Sequence, residues 1–442
     1  MKGRVIIAAP ASGGGKTVIT LGLLRHLANG GHEVSAAKLG PDYIDAAYHT
    51  AASGAPCHNL DLWAMRAATL AAEIDPLQFG DDITVCEGAM GLFDGVGAGG
   101  EDASTAALAA LTGWPVILVV DARGQGASVA ALVAGFARHR TDVPIRGVIL
   151  NRVGSERHQL VLREALARHV ADIPVLGAVP RSAVLELPER HLGLIQAREH
   201  GDLDRFLDSA AAVIAKHVDV DAALRIAAAA VPRDIATPPW EPPIRPLGKN
   251  IAVAYDDAFA FNYPATITGW LFTGALVWPF SPLADQPPRE DADAVFLPGG
   301  YPELHAARLA SNHSFLRGLC AAAERGAVIF GECGGYMVLG ESLIDAEGVA
   351  HRMAGLLPLR TSFAERRLHL GYRRARLLHE GPLGPAGTIY RGHEFHYSSI
   401  VAEGAADPLF AAEDALGNAL GPAGLQRGRV CGSFVHLIDR EL

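Results

Sequence analysis

No stretch of this 442-residue chain approaches the roughly 20 consecutive apolar residues that a helix needs to cross a bilayer, although half of its residues are hydrophobic. A membrane-spanning helix is excluded, and the apolar content has to go into cores. Cysteine is scarce: there are five, an odd number, with no C-x-x-C pair. That argues against a disulfide framework and against structural zinc, and points to a reducing, cytoplasmic setting. Blocks of lysine or arginine are missing too, and the net charge is −10. Nucleic acid is therefore not expected as the main partner, because neutralising phosphates needs a basic stripe. An anionic small substrate would need a locally basic site against this field. The opening Met1-Lys2-Gly3-Arg4 and the apolar residues after it resemble a secretory leader only loosely. That run is too short and leads into a glycine-rich loop, so it is expected to be a first strand.

At this length two domains are expected rather than one core. In the first half, short β-branched runs at 5–10, 34–39, 83–87, 115–121, 145–151 and 174–179 alternate with alanine- and leucine-rich stretches. Continuous apolar strands of this kind predict a mostly parallel sheet buried on both faces. The stretch 231–248 is rich in proline (Pro232, Pro238, Pro239, Pro242, Pro243, Pro246) and reads as a linker. It separates an expected domain at 1–230 from one at 249–442. In the second, runs at 251–255, 276–280, 294–297 and 327–330 restart the α/β pattern, and 355–399 looks antiparallel and rich in arginine.

Gly13-Gly14-Gly15-Lys16-Thr17 follows the first strand and opens an amphipathic stretch. That is the context of a phosphate-binding loop: glycine amides cradle phosphate, Lys16 adds charge, and the Thr17 hydroxyl suits Mg²⁺. Pro10 stands where the usual first glycine would be, so the loop is a variant. Glu87 closes the run 83–87, Lys38 lies at the end of the run 34–39, and Asp42 and Asp45 follow it. In an open α/β sheet such strand ends line one crevice, where a carboxylate suits a magnesium ion.

Cys333 lies between glycines in Phe330-Gly331-Glu332-Cys333-Gly334-Gly335, directly after an apolar run. A sharp glycine-flanked turn at a strand end presents a nucleophile with backbone amides beside it. Gly334 and Gly300, from Leu297-Pro298-Gly299-Gly300, are the expected oxyanion donors, and His436 in Ser433-Phe434-Val435-His436-Leu437 is the expected base. In Gly392-His393-Glu394-Phe395-His396-Tyr397-Ser398, strand alternation sends His393 and His396 to opposite faces, so packing is expected there rather than a metal.

KLGPDYIDAAYH (38–49), EGAMGLFDG (87–95), NRVGSERH (151–158), LPERHLGL (187–194), LPGGYPE (297–303), the cysteine turn, GHEFHYS (392–398) and His436 together resemble the cobyrinic acid a,c-diamide synthase family, including its hydrogenobyrinic acid branch. The likeness spans nearly the whole chain. It implies a dethiobiotin-synthetase-like P-loop domain followed by a class I glutamine amidotransferase domain. It further implies that Gly13, Gly14, Gly15, Lys16 and Thr17 bind ATP, with Lys38 near the phosphates and Asn151 near adenine. Thr17, Asp45 and Glu87 would hold Mg²⁺, and Asp42, Tyr43 and His49 would meet the substrate. The sister enzyme cobyric acid synthase shares the domain order but is not expected to carry MGLFDG after the strand-end glutamate.

Two departures stand out. Ala11 replaces the signature lysine of partition-type ATPases, and Ile438 stands where many class I glutaminases place a glutamate, two residues after the histidine. Asp439 is the nearest acid, at a different offset.

The implied partners are a corrin-type tetrapyrrole polycarboxylate, ATP and L-glutamine, with no membrane and no nucleic acid; a homodimer is left open. The reading is an amide ligase working through an acyl phosphate and ammonia released from glutamine. The alternative is the same chemistry on another tetrapyrrole such as Ni-sirohydrochlorin. A P-loop switch for a protein partner would leave Cys333 unexplained, and an unrelated thiol hydrolase would leave Lys16 and Glu87 unexplained.

Overall fold

A computed structural model describes residues 2–441 apart from Ala98, Pro188, His191, Leu192, Ile195, His200 and Thr237. Pro188, His191 and Leu192 of the 187–194 motif thus fall outside the described residues. Among these, no helix is long and apolar enough to cross a membrane. The chain forms two compact units. One comprises Met1–Trp63 and Leu70–Pro238, the other Ala64–Thr69 and Pro239–Leu442.

The first unit is built on seven strands: β1 (Gly3–Ala8), β2 (Val34–Leu39), β3 (Cys57–Leu60), β4 (Ile83–Glu87), β5 (Val116–Asp121), β6 (Ile145–Val153) and β7 (Val175–Pro180). Their order is β3-β2-β4-β1-β5-β6-β7, and every pairing is parallel. Val5, Ile6, Ile7, Val85, Ile117, Leu118 and Val119 are all nearly or fully buried, as a sheet covered on both faces requires. β1 stops at Ala8, short of Pro10, whose missing amide cannot serve a central ladder. β3 was not expected: it has four residues, CHNL, and half of them are polar. A small ribbon pairs β8 (Glu189–Arg190) with β9 (Gly193–Leu194).

The second unit begins with four parallel strands, β10 (Asn250–Ala254), β11 (Leu276–Phe280), β12 (Ala294–Leu297) and β13 (Val328–Glu332). A small sheet of β14 (Ser342–Ile344), β15 (Ala350–Arg352), β16 (Leu359–Ser362) and β19 (Ser399–Glu403) follows the helix Gly334–Leu339. The remaining strands, β17 (His369–Leu377), β18 (Ile389–His396), β20 (Asp407–Glu413), β21 (Ala419–Arg427), β22 (Val430–Ser433) and β23 (His436–Arg440), extend the main sheet. Its order is β11-β10-β12-β13-β22-β21-β20-β17-β18-β23. Alternate residues of the central strands enter two different cores: Val295, Leu297 and Ile329 one, Phe296, Val328 and Phe330 the other. Phe296 and Phe330 stack with centroids 5.6 Å apart. Each such buried side chain contributes roughly 1.5–3 kcal/mol, which fixes the register of the strand that carries Cys333.

Candidate active sites

In the first unit the register does the assembly. β2 pairs with β4 so that Lys38 stands beside Glu87, and β1 pairs with β4 so that Ile7 stands beside Glu87. The loop after β1 then passes the same carboxylate. Gly13 (φ 74°) and Gly15 (φ 89°) take left-handed backbone, and Gly15 caps α1 (Lys16–Asn29). Neither conformation suits a residue with a Cβ. The loop is held from behind: Asn151 donates to the Gly14 carbonyl at 3.0 Å, and Arg152 donates to the Gly13 carbonyl and to Asp121, each at 2.7 Å.

Asp42 caps α2 (Tyr43–Ser53), accepting the amides of Ile44 and Asp45 at 2.9 Å. Asp45 and His49 are four apart on this helix and so share a face. That face meets Lys38 and Glu87: Asp45 lies 3.4 Å from the Lys38 ammonium, and His49 Nε2 lies 2.7 Å from Glu87 Oε2. The other oxygen of Glu87 accepts from Thr17 at 2.8 Å and faces Lys38 at 3.4 Å. Lys16 donates to the Met90 carbonyl, in the loop that follows Glu87. His49 is fully buried and Tyr43 nearly so. His49 therefore faces Glu87 rather than solvent.

Burial would raise the Glu87 carboxyl, but Lys38, His49 and Thr17 prevail and hold it at about 2. Asp45 goes the other way, well above the usual range, through burial and the charge of Asp42. Burial would lower Lys38, yet Glu87, Asp45 and Asp42 raise it, so it stays charged. Burial lowers Lys16. The cluster thus has an ionised carboxylate sharing one oxygen with a hydroxyl, beside a fixed ammonium. Hard oxygen donors of this type fit Mg²⁺, which takes one or two protein ligands and fills the rest of its shell with phosphate and water. Among the described residues no three His, Cys, Asp or Glu side chains gather into a closed metal cage.

In the second unit Cys333 sits at φ 47° between β13 and the helix Gly334–Leu339. This strained turn is the geometry of a nucleophile elbow. The Cys333 amide donates to the Ser433 carbonyl at 2.8 Å, tying the turn to the end of β22. Ser433 accepts the Val435 amide at 3.1 Å, which breaks the strand, so the expected run 433–437 divides and His436 opens β23. A Cβ built on Gly299 would collide with the His436 ring, and one on Gly334 would lie 3.0 Å from the Gly300 amide nitrogen. The Gly299–Gly300 loop, the cysteine turn and His436 are therefore neighbours. Burial, then Glu303, pushes the Cys333 thiol up, and burial pushes His436 well down. The resting pair is a neutral thiol and a neutral imidazole.

His393 stacks on His436 at 5.1 Å, and His396 stacks on Phe434 at 3.9 Å. Both histidines thus meet the same 434–436 edge. Strict alternation fails because His396 ends its strand and turns Nδ1 toward the Ser398 carbonyl at 3.1 Å. Burial lowers both to about 3. Between pH 6.5 and 3 the unfolded chain therefore binds more protons, and stability falls as pH falls through that window. His396→Phe should flatten the dependence of unfolding free energy on pH between 4 and 6 by about 1.4 kcal/mol per pH unit, one proton's worth. Urea titrations at several pH values measure that slope.

Asp439 turns both oxygens to Arg66. It is buried and binds Arg66 twice, through the backbone amide at 2.8 Å and Nε at 2.9 Å. We expect Asp439→Asn to destabilise the protein by about 3–5 kcal/mol, as breaking a buried pair does. Glutaminase of the folded variant should change less than about tenfold, against the several orders of magnitude lost with a triad acid. Denaturant melts and glutamate release check the two halves separately.

Sequence reasoning did not anticipate three of these features. The Arg152–Asp121 brace and the His49–Glu87 contact pair residues far apart in the chain; only the 45/49 spacing hinted at the second. Glu332, discussed below, sat unremarked inside the cysteine motif.

Residues 5–195 match the CobQ/CobB/MinD/ParA nucleotide binding domain family, and residues 250–441 match the CobB/CobQ-like glutamine amidotransferase domain family. The chain is 54% identical over 440 residues to a hydrogenobyrinate a,c-diamide synthase of Brucella anthropi, covering 99% of each chain. It is 52% identical over 439 residues to that of a Sinorhizobium species, covering 98% of each. With nucleotide-binding and amidotransferase domains in that order and relatives this similar along its whole length, the chain belongs to the hydrogenobyrinate a,c-diamide synthase family of glutamine-dependent amide ligases.

Proposed function

We propose that this protein converts the a and c carboxylates of hydrogenobyrinic acid to amides, using ATP and glutamine, in cobalamin biosynthesis. The observation that carries the reading is the presence of two chemically complementary centres in one chain: a Lys16–Thr17–Glu87–Lys38 cluster at the strand ends of one sheet and a strained Cys333 turn beside His436 in the other unit.

A carboxylate resists amidation because resonance stabilises it and oxide is a poor leaving group. Transfer of the γ-phosphoryl group of ATP to its oxygen gives an acyl phosphate, which ammonia attacks with loss of phosphate. The work is positioning and electrostatics. The left-handed glycines orient loop amides toward the phosphates, and Lys16 exchanges the Met90 carbonyl for a phosphate oxygen. Thr17 and Glu87 would hold Mg²⁺, with Asp45 as a further ligand once ionised. An ion held there would offset the charge that develops on the phosphate oxygens. Lys38, kept charged among acids, steadies the same oxygens, and His49 fixes the rotamer of Glu87. Asn151 and Arg152 keep the loop in shape.

At the second centre both groups rest neutral, so the thiol must lose its proton to His436 as sulfur attacks the glutamine amide. The amides of Gly300 and Gly334 receive the oxyanion. Ammonia leaves, and water hydrolyses the thioester to glutamate. Making ammonia in situ suits neutral pH, where the free amine is mostly ammonium.

The substrate test supplies purified protein, ATP and glutamine with hydrogenobyrinic acid, cobyrinic acid or Ni-sirohydrochlorin. We expect ATP-dependent diamide from hydrogenobyrinic acid. Product from the nickel tetrapyrrole alone would establish the alternative substrate.

A further inference from the structure

Ile438 stands where many class I glutaminases place a glutamate, while Asp439 pairs with Arg66 and Glu394 with Arg373 at 2.7 Å. A further acid lies inside the cysteine motif itself. Glu332, the residue before the nucleophile, is 3% exposed, and its Oε1 accepts the amide of Leu437, the residue after the base, at 3.0 Å.

We propose that Glu332 is a positioning residue of the glutaminase centre: its carboxyl, bonded to the Leu437 amide, holds His436 in place beside Cys333. This rests on the Cys333–His436 reading above.

The topology explains why such a tie is needed. Among the described residues β23 lies at the end of its sheet and pairs with β18 alone, so His436 begins a strand with one ladder partner. The chain between β22 and β23 is a short break, which by itself would leave the imidazole's position loose. Two bonds bracket it: Cys333 amide to Ser433 carbonyl before the histidine, and Leu437 amide to Glu332 after it. Both start from adjacent residues of the cysteine turn, so base and nucleophile are referenced to the same piece of backbone. The imidazole is further wedged between His393 and Gly299. Burial pushes the Glu332 carboxyl up to about 8, with the Leu437 bond opposing. A carboxyl oxygen accepts in either protonation state. The tie therefore needs an acceptor, not a charge, and a glutamine should replace it.

The test compares Glu332→Gln, Glu332→Met and His436→Ala for glutamate release, KM for glutamine and ammonium-supported synthesis. Glu332→Met keeps the volume and removes the acceptor. We expect its glutaminase kcat to fall by about a hundredfold or more, the scale of misplaced acid–base catalysis, with KM changed less than about threefold and ammonium-supported synthesis retained. Glu332→Gln should stay within about fivefold of the unsubstituted protein. Glutaminase of Glu332→Met within threefold of the starting enzyme would overturn the proposal. So would equal damage from Gln and Met, which would mean that charge matters, or joint loss of ammonium-supported synthesis, which would mean general packing. Undiminished glutaminase in His436→Ala would instead overturn the underlying reading.

Discussion

Replacing Cys333 by alanine should abolish glutamine-supported amidation, by about three orders of magnitude or more, the scale on which a covalent nucleophile acts. Synthesis from concentrated ammonium salt should persist. The thiol belongs to a centre that makes ammonia and plays no part in activating the carboxylate. The substitution is also gentle: alanine fits the space, and the turn is fixed by the Cys333 backbone amide, which alanine retains. Loss of both activities in a folded protein would contradict the division of labour.

Lys16→Ala and Glu87→Gln should behave in the opposite way, removing synthesis from glutamine and from ammonium alike by about a thousandfold or more. Acyl phosphate formation precedes any attack by ammonia, so no nitrogen source bypasses it. Glutamate release should survive, because its residues lie in the second unit. Glu87→Gln is the sharper test. It keeps the shape but removes the one carboxylate that Lys38, His49 and Thr17 hold ionised at about 2. Full synthesis by that variant would show that Glu87 binds no metal.

The parallel sheet of the first unit was legible because its strands are buried on both faces and so read as continuous apolar runs. β3 was missed because CHNL carries no such run. The lysine loop, Glu87 and the cysteine turn were visible as short motifs whose glycines have a steric reason. What the sequence concealed is who touches whom. Asp45 and His49 were each readable, but only the α2 cap and the β2–β4 register bring them onto Lys38 and Glu87. Asp439 illustrates the converse: three residues from His436 it stands at the wrong offset for a partner, and it binds Arg66, over 370 positions away. Long-range pairing of this kind leaves no local periodicity to read.

The central claim is that glutamine nitrogen becomes corrin amide nitrogen through an ATP-activated carboxylate. Glutamine labelled with heavy nitrogen at its amide, incubated with the enzyme, ATP and hydrogenobyrinic acid, tests it directly by mass spectrometry of the product. The account predicts two labelled amides per molecule, none without ATP, and none from labelled glutamine with Cys333→Ala. Labelled product without ATP, or no transfer of label in its presence, would contradict it.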